Sequence, residues 1–133
     1  MKICVTSMGD NLDSDVDPRF GRCKYFLIID TDSMNIKAIS NDSLMASGGA
    51  GIQAAQTVAK IGAGTVITGN IGPNAFQTLK AAGIKVITGV SGGIKDVVDR
   101  FNRGELKKIE VPSVESHFGM GVTGRGFGGG ENL

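Results

Sequence analysis

Apolar and polar positions divide the chain into short extended runs, then helical ones. "KICVTSM" at the start and "KYFLIID" at 24–30 are apolar runs ending in polar residues, and "NIKAIS" at 35–40 follows the turn-rich "DTDSMN". Runs of this length bounded by turn residues predict strands, the last two forming a hairpin. After Ser40 the period changes. "GGAGIQAAQTVAKIGAG" places Ile52, Ala55 and Ala59 on one helical face and ends in glycines suited to a helix stop. Two similar units follow, "AGTVITGNIGPNAFQTLKAAG" and "GIKVITGVSGGIKDVVDRFNRG", each a β-branched strand, the tripeptide Ile-Thr-Gly, a glycine-containing loop and a helix. Pro73 suits the first turn of one helix, where no intrahelical amide bond is lost, and Ser91 is the predicted N-cap of the other. In that last helix Ile94, Val97, Val98 and Phe101 are spaced as a buried stripe.

The expected order is β-β-β-α-β-α-β-α, an antiparallel meander followed by right-handed crossovers, which gives an α/β mixed five-stranded sheet flanked by helices. At 133 residues the chain has the size of one ordinary domain. From Gly119 onward "GMGVTGRGFGGGENL" is so dense in glycine that ordering it would cost more entropy than burial returns. The sequence therefore predicts a single domain over 1–118 and a flexible tail over 119–133.

Strand direction decides where the loops go. With strands 1, 3, 4 and 5 parallel, one edge of the sheet receives Asp10–Cys23, Ser43–Gly51, Thr68–Asn74 and Thr88–Gly93. Three of these run into helix N-termini, whose unpaired amides and dipole ends favour an anion. Candidate binding residues on this rim are Ser47, Gly48, Gly49, Gly69, Asn70, Gly72, Ser91 and Gly92, together with Arg19 and Arg22. Phe20 is expected to anchor the arginine loop by burying its ring.

Composition narrows the chemistry. The net charge is +1, so no uniform positive field supports nucleic-acid binding. No basic leader with a long apolar run occurs, and no segment approaches the ~20 apolar residues needed to cross a bilayer, so the expectation is a cytoplasmic protein with no membrane partner. Of the two cysteines, Cys4 lies within the first strand pattern and reads as packing. Cys23 sits among Arg19, Arg22 and Lys24, where nearby cations favour thiolate; it is either a small core residue or a metal ligand. His117, the single histidine, is either exposed or a second metal ligand.

Several activities are disfavoured. Asp13, Asp15 and Asp17 alternate as in a calcium loop, but Pro18 and Lys24 occupy the positions of its glycine and closing glutamate, and the acids read as turn caps in a solvated loop. The chain has neither G-x-x-x-x-G-K-[ST] nor G-x-S-x-G. The order of elements resembles the ribonuclease H topology, yet the predicted core strands carry no carboxylates for two metals.

With "DPRFGR" at 17–22, the "GIQAAQ" helix and "TGNIGPNAF" taken together, the sequence resembles the dinitrogenase iron-molybdenum cofactor biosynthesis family over about residues 1–118. The resemblance implies a ribonuclease H-like fold without nuclease chemistry, holding an iron-sulfur or molybdenum-iron-sulfur cluster, with cluster-assembly proteins as partners. It maps the family's arginine motif onto Asp17–Arg22, Gly21 included, and its glycine-rich loop onto Thr68–Pro73. A carrier of this kind needs no general base or nucleophile, so no enzymatic role is expected. The other reading is an enzyme acting on a phosphorylated or anionic small molecule in the same pocket.

Overall fold

The computed structural model describes residues 1–42 and 49–106. Ser47, Gly48, His117 and the predicted boundary and tail beyond 118 lie outside the described residues. Within them the strands are β1 (Lys2–Ser7), β2 (Tyr25–Asp30), β3 (Ile36–Ser40), β4 (Thr65–Ile67) and β5 (Lys85–Ile87), and the helices are α1 (Ala50–Ile61), α2 (Pro73–Ala81) and α3 (Ile94–Asn102). A single 3-10 turn, Phe20–Arg22, precedes β2.

The five strands form one mixed sheet in the order β3-β2-β1-β4-β5. Strands β1, β2 and β3 pair antiparallel, with Cys4 opposite Ile28 and Leu27 opposite Ala38. Strands β4 and β5 continue parallel to β1, with Val5 beside Ile67 and Ile67 beside Ile87. The apolar runs of β1 and β2 are buried on both faces of the sheet, which is why they lack strict alternation.

Two cores result. Cys4, Phe26, Ile28, Val66 and Val86 pack against α1 and α2 on one face. Ile3, Val5, Leu27, Ile29, Ile67 and Ile87 pack against Ile94, Val97 and Val98 of α3 on the other. The asymmetry follows from handedness: the β3-α1-β4 and β4-α2-β5 crossovers step the same way along the sheet, so both right-handed connections fall on one face. Helix α3 is the last described element and covers the face left bare.

Two local expectations change. In α1 the fully buried face is Ala54, Ala55 and Val58, whereas Ile52 and Ala59 are half-buried, because contact with the sheet follows the i, i+4 line through Ala54 and Val58. Ser91 does not cap α3. Gly93 holds the N-cap position without a side-chain bond, and the Ile94 amide donates to the Ser14 carbonyl at 3.0 Å.

Candidate functional site

The segment after β1 is stitched to the ends of two strands in succession. Asp17 N donates to Thr6 O at 2.9 Å, Asn70 N to Pro18 O at 2.7 Å, and Phe20 N to Asn70 O at 3.1 Å. Thr6 Oγ1 donates to Asp17 O at 2.7 Å and lies 2.8 Å from Thr68 Oγ1, so the strand ends are locked by a buried polar knot. Glycine permits the approach: a Cβ on Gly69 would stand 2.7 Å from the Pro18 Cα.

That stitching delivers the 3-10 turn to the start of α1. Phe20 is 2% exposed and packs on Phe26, with ring centroids 6.0 Å apart. Between the turn, the start of α1 and the start of α2 lies a cavity of about 390 Å³. Its wall includes Arg19, Phe20, Gly21, Gly49, Asn70 and Gly72, the sequence-predicted residues that the structure brings together. Gly49 and Gly72, which have no side chain to cap with, occupy the N-cap positions of the two helices. Amides at both helix starts therefore turn their partial positive charge toward one space.

Other predicted residues fall elsewhere. Arg22, Cys23 and Gly69 stand beside the cavity without lining it. Ser91 and Gly92 precede α3, which packs on the opposite face, and the loop from Ser14 to Val16 covers that helix start: Val16 N donates to Gly92 O at 2.9 Å. Two helix N-termini face the site, not three.

The sequence leaves Cys23 two readings, a small core residue or a metal ligand. The residue is 0% exposed, and burial, followed by the Asp17 charge, pushes its thiol up to about 12; Arg19 opposes this only weakly. Burial thus favours the packing reading of Cys23 over an arginine-stabilised thiolate. Lys24 beside it is exposed and Arg22 is half-buried, so Cys23 alone of the three turns fully in. Cys4 is buried likewise, its thiol raised by desolvation and then by Cys23. Among the described residues no group of three or more His, Cys, Asp or Glu could hold a metal ion.

Sequence reasoning missed two buried polar residues. Asp17 is 1% exposed and not solvated. Its Oδ1 accepts from the Arg19 amide at 3.1 Å and lies 3.5 Å from Arg19 Nε. Asn41 Nδ2 donates to Gly21 O at 3.2 Å and Cys23 O at 2.9 Å, and lies 3.8 Å from the Cys23 Sγ. The cavity also takes in Ile52, Ile71 and Ala75, and the available signal was that Ile52 is apolar at a helix start but off the core-facing line.

The apo form of the orange protein from Desulfovibrio gigas has a similar structure, with a TM-score of 0.82 and 45% identity, covering 84% of this chain and 95% of that one. A candidate NifB protein from Thermotoga, solved by NMR, is similar with a TM-score of 0.70 and 36% identity over 80% of this chain and 91% of its own. An uncharacterized protein of Methanocaldococcus jannaschii is 33% identical over 98 residues, 71% of this chain and 83% of its own length. Among the described residues no helix is long and apolar enough to cross a membrane. The family model for dinitrogenase iron-molybdenum cofactor proteins matches residues 1–104, and the chain therefore belongs to that family.

Proposed function

We propose that this chain binds and carries, or scaffolds, an anionic metal-sulfur cluster, iron-sulfur or molybdenum-containing, in the cavity between α1 and α2, and that it does so without catalysing a reaction. The observation that carries the reading is the make-up of that cavity: two helix starts with glycine at the N-cap and Arg19 set among Phe20, Ile52, Ile71, Pro73 and Ala75. Backbone amides supply hydrogen bonds to cluster sulfurs, and apolar walls suit a bulky, weakly hydrated anion. A phosphorylated substrate fits less well, because the walls between the helix starts are largely apolar and the arginine here already lies beside Asp17. The described lining holds amides, arginine, asparagine and apolar groups, a set that binds and does not react.

In this reading Arg22 and Gly69 shape the rim, and Cys23 is a packing residue while the protein is folded as described. His117 remains a proposed ligand, tested by His117→Ala. The strand order supports the ribonuclease H-like description of the fold, here without nuclease chemistry. Cluster-assembly proteins as partners and a cytoplasmic location belong to the same proposal.

The test is anaerobic incubation of folded apo protein with a preformed cluster, followed by metal and acid-labile sulfide analysis and a visible spectrum. Bound metal and sulfide with charge-transfer absorption, reduced in Arg19→Ala, is the expected result. Folded protein that stays colourless and metal-free overturns it.

A further inference from the structure

Asp17 is a carboxylate taken almost wholly out of water, yet among the described residues its Oδ2 has no hydrogen-bond partner. Its Oδ1 serves the Arg19 amide and stands 3.5 Å from Arg19 Nε, while the Arg19 side chain is 64% exposed at the cavity edge. Removing Arg19 would leave the buried Asp17 charge without this counter-charge. The Cys23 thiol, which also feels the Asp17 charge, is protonated and offers no counter-charge.

We infer that Asp17 sets the anion selectivity of the cavity by engaging Arg19 through Nε and offsetting its charge, so that the site favours weakly hydrated, sulfur-bearing anions over compact oxyanions. The inference rests on the reading of this cavity as an anion site. With Nε engaged, the two terminal guanidinium nitrogens are the groups left to meet a ligand, and they bring hydrogen bonds with little net charge. A compact oxyanion loses strong hydration on entry, and a charge-balanced Arg19 adds less to what the helix amides offset than a bare cation would. A sulfur-bearing anion sheds water more easily, and the amides of two helix starts suffice for it. Asp17 thus acts through Arg19, as a positioning residue.

The experiment is a titration of the folded apo protein, at constant ionic strength, with sulfate and thiosulfate, dianions of similar shape that differ in one sulfur. The wild type is expected to bind thiosulfate more tightly. Asp17→Asn retains an oxygen for the Arg19 amide but removes the charge, and should raise sulfate affinity about tenfold while thiosulfate changes less, collapsing the preference. A folded Asp17→Asn variant with an unchanged ratio overturns the inference and leaves the cavity reading intact. A wild type that binds neither probe, or prefers sulfate, overturns the inference, the former result together with the cavity reading. Should Asp17→Asn fail to fold, Arg19→Gln decides: the bare Asp17 charge should then lower thiosulfate affinity more than about tenfold, and wild-type binding by this variant overturns the inference.

Discussion

Gly21 and Gly51 meet backbone to backbone: a Cβ on Gly21 would lie 2.9 Å from both the amide nitrogen and the Cα of Gly51. The 3-10 turn is thereby seated on the first turn of α1 with no side chain between them. Gly21→Ala forces main chain to move and should cost about 1–3 kcal/mol. Gly51→Ala meets only the Ala75 Cβ, at 3.3 Å, and gains helix propensity of about 1 kcal/mol, so its stability should stay near that of the wild type. Thermal unfolding of the two variants checks the contrast; equal losses would mean that the turn is not braced by this contact.

Phe20 serves core and cavity at once, being buried against Phe26 and also lining the pocket. Phe20→Ala should cost about 3–5 kcal/mol, the usual range for deleting a buried ring. Phe20→Leu should recover much of that loss. A Phe20→Ala variant as stable as the wild type in urea unfolding would show that the ring's packing contributes little.

The strands and the α3 stripe were legible because burial writes itself into period: Ile94, Val97 and Val98 are all fully buried, as their spacing predicted. The site was legible in part. Glycines before α1 and α2 marked two helix starts correctly, but the same reasoning brought in Ser91 and Gly92, since spacing along the chain assigns an edge of the sheet and not a face. The handedness of successive crossovers carries that missing information. Cys23 was ambiguous because cationic neighbours in sequence say nothing about burial, which dominates at this thiol. Asp17 and Asn41 left no pattern at all, as a buried polar residue is recognisable only from the partners that the fold supplies.

Asn41 clamps the carbonyls on both sides of Arg22 with one amide nitrogen. Asn41→Ala leaves those acceptors without this donor and should destabilise by about 1–3 kcal/mol. Asn41→Asp should be worse near neutral pH, because a carboxylate would face two carbonyl oxygens. Urea unfolding of both variants is the check, and an aspartate variant as stable as the wild type would remove the clamp from the account.

The two thiols make a prediction about alkaline pH. Cys23 is raised from an ordinary value of 9.0 to about 12, first by desolvation and then by Asp17, and Cys4 is raised by desolvation and then by Cys23. A thiol whose folded pKa is raised holds its proton more tightly in the folded state than in the unfolded one. Its contribution is therefore fully present below the unfolded value and is lost as pH climbs from that value toward the folded one. The slope is at most about 1.4 kcal/mol per pH unit for each thiol. The informative quantity is the difference between the wild type and Cys23→Ala, measured by urea unfolding from neutral pH upward. The difference should be constant up to about pH 9 and shift against the wild type above it. At neutral pH both thiols should resist alkylation until the protein is unfolded. Rapid modification of Cys23 in the native protein would mean that the residue is exposed and ionised after all, returning it to the rim as a ligand.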